Sequence, residues 1–281
     1  MKVRSNIHGA VSIVNAIATG KGCALGISLK VTAEVEQSSG SGISFLTGKK
    51  DDLLINNIIR NTLPQKTIDS HKISIKVDSD IPIGFGLKSS SAVSNAVALA
   101  CSRIAGEVDD FAVLDAAVRA SLDAKVTITG AYDDATACYF GGFVVTDNYA
   151  RKLLRQEPAP ENLHAMIFLP RNTPRGDVAK LRGFADLFED AFGLAQSGDY
   201  WKAMKLNGVL ACAALSSDYG PIMAAMEAGA IGASISGNGP SIAAVVQEDK
   251  LPQVRSAFSR FAGRVIVSKV NNEKASVDVL E

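Results

Sequence analysis

Residues 80–100 read DIPIGFGLKSSSAVSNAVALA, and the reading of this stretch decides the fold. Two glycines and three consecutive serines lead into a long run of small and apolar residues. Pro82 stiffens the exit from a strand, while Gly84 and Gly86 allow the backbone close to a ligand. The serines stand at a helix start, where free N–H groups and the helix dipole favour an anion. Their hydroxyls can also hydrogen-bond a phosphate or ligate Mg2+ through oxygen. A plain structural alternative is that Ser89 or Ser90 simply caps the helix.

Two common phosphate motifs fail here. The P-loop pattern needs a glycine directly before its lysine, but Leu87 precedes Lys88. A dinucleotide fingerprint begins at Gly84 and Gly86, yet Ser89 stands where its third glycine belongs, and no acidic ribose clamp follows.

A chain of 281 residues that is 47% hydrophobic can form one large domain or two modest ones around a real core. Lys plus Arg balance Asp plus Glu at 29 each, so neither nucleic acid nor an anionic membrane is expected as the main partner. Cys23, Cys101, Cys138 and Cys212 are far apart among apolar or small residues, which suits buried thiols in a reducing cytoplasm. The apolar N-terminal stretch is broken by Ser12, Asn15 and glycines, so no cleaved signal is expected. No run approaches the ~18 apolar residues that span a bilayer, and the expectation is a soluble, cytoplasmic protein.

Hydrophobic periodicity extends the picture in both directions. Strands are expected over 10–18 and 23–37 around the turn "TGKG", then a helix over 51–63 and a strand over 71–80. After the loop, Val93, Val97, Cys101 and Ile104 recur at helical spacing until Gly106 ends the pattern. Further helices are expected over 110–125 and 133–140, with a strand over 141–148. Pro158 and Pro160 mark the best domain boundary, giving 1–155 and 156–281. The second half reads as a strand (164–170), helices (177–196, 199–215 and 220–228), two strands around a glycine turn (232–247), a helix (250–263) and a strand (264–270). This is an α+β arrangement rather than regular alternation.

The pattern Pro82-x-x-x-Gly86-Leu87-x-Ser89-Ser90-Ser91 resembles the P-x-x-x-G-L-x-S-S-[AS] signature of the GHMP kinase superfamily. "SISGNGPSIAAVV", residues 234–246, resembles that family's C-terminal glycine motif. "SIVNAIATGKGCALGI" near the start and "TITGAYDDATACYFGGFVVTDN" near the middle are similar to its archaeal-type shikimate kinase branch. The resemblance implies a two-domain α+β GHMP fold with a ferredoxin-like C-terminal domain and a nucleotide between the domains. It implies phosphorylation of shikimate by ATP with Mg2+, a step towards chorismate and the aromatic amino acids.

Phosphoryl transfer needs positioning, Mg2+ and hydrogen-bond donors more than covalent chemistry. By the resemblance, Pro82, Ile83, Gly84, Phe85, Gly86, Leu87, Lys88, Ser89, Ser90, Ser91 and Ala92 form the triphosphate loop, with Gly237, Asn238 and Gly239 against the nucleotide region. The resemblance also implies that Ser90 or Ser91 assists Mg2+. Asp133 and Asp134 are the candidate catalytic carboxylates, one accepting the hydroxyl proton, with Asp134 also a candidate metal ligand. The plain alternative is that both only favour a helix N-terminus.

Many relatives carry P-G-K before the first strand, where this chain reads His8-Gly9-Ala10, so Lys21 in "ATGKG" is the candidate replacement cation. Shikimate carries a carboxylate and three hydroxyls, for which Arg171, Arg175 and Asn15 are candidate ligands. His8, His71 and His164 show no metal spacing and receive no role. Another small alcohol, such as homoserine or a mevalonate relative, stays open as the acceptor, and so does a non-catalytic nucleotide or metabolite sensor. Oligomeric state is not legible in the sequence.

Overall fold

Period-two alternation runs further at the N-terminus than the apolar core of each segment suggests. In the computed structural model, which describes residues 1–46, 53–106, 108–171 and 173–281, β1 (Lys2–Val14) and β2 (Lys21–Ser39) form one long antiparallel hairpin. The expected strand over 10–18 stops at Val14, because the chain turns there towards Gly20, which holds φ 82°. β2 is long enough to pair twice along one edge, with β4 (His71–Ser79) at Val31–Ser39 and β5 (Phe143–Asp147) at Lys21–Leu25. β3 (Gly42–Phe45) adds parallel to β4, and β6 (Lys152–Glu157) adds to β5.

Helices cover this sheet. They are α1 (Leu53–Thr62), α2 (Gln65–Ser70), α3 (Ser89–Ala105), α4 (Asp110–Asp123) and α5 (Tyr132–Phe140). The expected helix over 51–63 begins with Asp51 and Asp52, which lie outside the described residues. In α3 the small residues Ala92, Ala96 and Ala100 are fully buried beside Val97 and Cys101, so the helix can lie close to β1 and β2. Asp109 caps α4 by accepting from the N–H groups of Phe111 and Ala112.

The second sheet is built from β7 (Leu163–Pro170), β8 (Gly232–Ile235), β9 (Ile242–Gln247) and β10 (Gly263–Lys269), in the antiparallel order β10-β7-β9-β8. Between β7 and β8 lie a 3-10 turn at Val178–Phe184, α6 (Ala185–Gln196), α7 (Tyr200–Leu215) and α8 (Gly220–Glu227), and α9 (Leu251–Phe258) joins β9 to β10. A β-α-β-β-α-β order with this strand sequence is the ferredoxin-like arrangement.

The continuous apolar run of β7 has a direct cause. Ala165, Ile167 and Leu169 face one core, shared with the first sheet, while Met166 and Phe168 face another with Phe188 and Phe258. A central strand buried on both faces has no polar face to alternate with.

Composition suggests a cut at 155/156, but the sheets divide otherwise. Residue 155 lies within β6, and β11 (Ser276–Val279) returns from the second half to pair with β1. The four cysteines are free and buried. Among the described residues no helix is long and apolar enough to cross a membrane.

Phe168 stacks on Phe258 at 5.3 Å on the face turned away from the first sheet. Phe168→Ala is expected to destabilise the protein by about 3–5 kcal/mol, read as a lowered denaturant midpoint, and an unchanged midpoint would contradict this core assignment.

Candidate active site

The loop after β4 is shaped by its own backbone. Gly84 and Gly86 hold φ 89° and 75°, a region that glycine tolerates and side chains resist. A Cβ at Gly86 would lie 2.0 Å from the carbonyl oxygen of Ser236, so the second glycine motif packs directly on the first. Ser236 Oγ donates to Gly86 O at 2.9 Å and Ser241 Oγ donates to Phe85 O at 2.5 Å. The two motifs, far apart in sequence, thus form one wall.

The helix after the loop begins at Ser89, and its N-cap position is Lys88, with no side-chain capping bond. Neither Ser89 nor Ser90 is therefore the cap. The first N–H groups of a helix have no partner within it, so this end of α3 presents donors to a cavity of about 270 Å3. The cavity is lined by the loop, by Ser12 to Ile17 in part, by the segment between α4 and α5, and by Asp133, Asp134, Arg175, Gly237 and Asn238. Lys88, Lys125 and Ala131 all line it with left-handed φ values of 63°, 55° and 50°. Backbone strain of this kind gathers where the surroundings must hold a fixed geometry.

The two carboxylates at the start of α5 sit in different surroundings. Asp133 is 3% exposed, and its N–H donates to Asn148 Oδ1 at 3.0 Å while its Oδ1 accepts from Asn148 Nδ2 at 2.8 Å. Asn148 is itself fixed, accepting from Thr146 Oγ1 at 2.8 Å and donating to Thr129 Oγ1 at 3.1 Å. A Cβ at Gly22 would lie 2.5 Å from Asp133 Oδ2, so only glycine leaves room for that carboxyl. Burial pushes the Asp133 carboxyl up to about 7, the neighbouring Asp134 adds to the rise, and Lys88 and Asn148 oppose it.

Asp134 instead pairs with Lys88, Nζ to Oδ1 at 2.7 Å. Burial works against the Lys88 ammonium, but the Asp134 and Asp133 carboxylates outweigh it and raise its pKa. Lys88 Nζ also donates to Ser12 Oγ at 2.8 Å, and Ser12 Oγ accepts from the Gly237 N–H at 2.9 Å.

Other sequence candidates are placed differently from expectation. Lys21 is at the start of β2, one residue before Gly22, and strand alternation turns it to the opposite side. Its Nζ pairs with both carboxylate oxygens of Glu189 at 3.0 Å and lies over the Phe192 ring, away from the carboxylate pair. Arg171 is exposed outside the cavity lining, and its N–H donates to Ala262 O beside the end of β7. Phe85, Ala92 and Gly239 do not line the cavity either: Phe85 packs on the core, Ala92 is buried in α3, and Gly239 closes the turn through its N–H to Ser236 O.

Asn15 lines the cavity with its amide committed elsewhere. Its Nδ2 donates to Gly237 O at 2.8 Å and its Oδ1 accepts from the Ile17 N–H at 2.8 Å, so it holds the second motif in place. Arg175 does reach the loop, Nε donating to Gly84 O at 3.2 Å. Sequence reasoning missed Asn148 and Ser12; the only signal for Ser12 was a polar residue interrupting an apolar strand.

Among the described residues no cluster of three or more His, Cys, Asp or Glu could hold a metal ion. Mg2+ does not need one, since it is commonly held by one or two carboxylates together with substrate phosphates. Asp134, with Ser90 and Ser91 beside the helix start, is a donor set of that kind. The hydroxyls of Ser90 and Ser91 are not engaged by a capping role.

The model of the GHMP kinases N terminal domain matches residues 54–142, and that of the GHMP kinases C terminal domain matches residues 191–264. The chain is 37% identical to a shikimate kinase of Methanobrevibacter smithii, covering 97% of this chain and 98% of that protein. It is 41% identical to a shikimate kinase of Methanocella arvoryzae, covering 98% and 96%. In fold it is similar to homoserine kinase from Cytophaga hutchinsonii, with a TM-score of 0.78 at 21% identity over 99% of this chain and 97% of that one. Mevalonate kinase of Methanococcus jannaschii gives a TM-score of 0.75 at 16% identity over 97% and 98%. With both glycine motifs on one wall and relatives matched along nearly its whole length, the chain belongs to the GHMP kinase family, alongside the archaeal proteins that carry the name shikimate kinase.

Proposed function

We propose that the protein transfers the γ-phosphoryl group of ATP to shikimate, giving ADP and shikimate 3-phosphate. The observation that carries the reading is that the donor-rich start of α3 and the Asp133–Asp134 pair open into the same cavity. The full-length likeness to shikimate kinases supports the choice of acceptor. The free thiols suit the cytoplasm, where such a biosynthetic step would run.

Each group has a part in the transfer. The N–H groups of Ser89, Ser90 and Ser91 and the dipole of α3 face the phosphates. When bound, Mg2+ would be held by Asp134 and the Ser90 and Ser91 hydroxyls and would neutralise phosphate charge. Asp133 accepts the proton of the attacking hydroxyl as its oxygen bonds to Pγ, and the bond from Pγ to the bridging oxygen breaks, its electron pair leaving with ADP. A carboxyl held near 7 is matched to that work. Arg175 at the mouth is the group for the shikimate carboxylate, with Nε on the loop and the rest of its guanidinium available for a fork.

An assay of ADP release with Mg-ATP should give turnover with shikimate and none with homoserine or mevalonate. Turnover with another alcohol and not with shikimate would overturn the acceptor. Asp133→Asn should lower kcat by about 100- to 10,000-fold in a folded protein.

Thermal melting without metal or nucleotide provides a separate check. The folded Asp133 carboxyl, near 7, binds its proton more tightly than in the unfolded chain, near ~3.9. Its contribution to stability is complete below ~4 and is lost as pH rises through 7. Asp133→Asn should therefore melt several degrees above wild type at pH 8, with the gap closing as the pH falls to about 4. A pH-independent gap would contradict the burial argument.

A further inference from the structure

Lys88 occupies a position that opposes it in three ways. Its φ of 63° suits glycine rather than a side chain. Its side chain is 4% exposed, so the ammonium has left water. It also stands at the positive end of α3, where a cation is disfavoured. A residue kept only for packing would not carry an ammonium to such a place.

What the ammonium meets comes from three other parts of the chain. Asp134 Oδ1 on α5 lies at 2.7 Å, Ser12 Oγ on β1 lies at 2.8 Å, and a Cβ at Gly237 in the turn after β8 would lie 3.1 Å from Nζ. The ammonium thus donates to Ser12 and stands in ion-pair contact with Asp134. Asp134 Oδ1 is buried and meets Lys88 as an ion pair without a hydrogen bond, and no described residue donates a hydrogen bond to either oxygen of the Asp134 carboxylate. Lys21, the other candidate cation, is committed to Glu189.

We infer that Lys88 is the positioning residue of phosphoryl transfer: its ion pair with one oxygen holds the Asp134 carboxylate, which lines the cleft, in one orientation and keeps it from swinging against Asp133. The inference rests on the phosphotransferase reading given above. It assigns to a side chain of the phosphate loop a task that the loop's backbone does not perform. The ligand-facing N–H groups do not depend on it, so nucleotide affinity and turnover should separate when the ammonium is removed.

The test compares Lys88→Gly, which suits the backbone, and Lys88→Met, which keeps the stem, with Asp134→Asn and the double variant Lys88→Met/Asp134→Asn. ADP release with Mg-ATP and shikimate is measured beside thermal melting without ligand. Both single Lys88 variants should lose about 100-fold in kcat while KM for ATP stays within about threefold of wild type. Lys88→Met should melt lower, because it leaves a half-buried carboxylate unpaired, and the double variant should recover the melting temperature but not kcat.

Wild-type kcat in Lys88→Gly, a loss confined to KM for ATP, or kcat restored in the double variant would each overturn the inference. If the wild type does not turn over shikimate, the proposed function falls, and the melting series still decides. Non-additive melting of the Lys88 and Asp134 variants would uphold the grip on Asp134, and additive melting would refute it.

Discussion

The approach of the Gly86 backbone to the Ser236 carbonyl, too close for any side chain between them, is the constraint on which the cleft depends. It brings the start of α3 against the turn between β8 and β9, and so joins the first sheet to the second. Hydrogen bonds from Ser236 and Ser241 to the loop carbonyls then satisfy polar groups that the contact buries. Asn15 and Ser12 brace the same turn from the N-terminal strand, through Gly237 O and the Gly237 N–H. The free N–H groups at the start of α3 are therefore held by backbone packing and by hydrogen bonds from buried side chains, the kind of fixed geometry that preorganised stabilisation of a moving charge requires.

Electrostatics completes the site on the other wall. Adjacent carboxylates would repel if both were buried alike, and the structure separates them. Asp133 is enclosed by Asn148, Gly22 and the core, and its carboxyl is held up near 7 by burial first and by Asp134 second. Asp134 turns to Lys88 at the cleft. Neighbouring groups of one chemical type acquire different tasks when their surroundings differ in this way.

The local parts of this arrangement were legible in the sequence, and the long-range parts were not. A strand exit, two glycines and serines at a helix start are close together, and their signature is read without knowing the fold. The pairing of Lys88 with Asp134 and of Asn148 with Asp133 depends on where α3, α5 and β5 meet, which no periodicity states. Lys21 was misplaced for a simple reason: with Gly22 facing Asp133, the preceding residue of the strand must face the other way. The short elements β3, α2 and β11 carry too few residues for a periodic signal, and β6 sits where charge and proline suggested a linker.

A cleft built in this way should move a phosphoryl group to an alcohol rather than to water. Phosphorus NMR of the mixture formed with Mg-ATP and shikimate tests that most directly. The account expects a phosphomonoester resonance that grows in step with ADP. Formation of ADP with inorganic phosphate alone, at the same rate with or without shikimate, would contradict it.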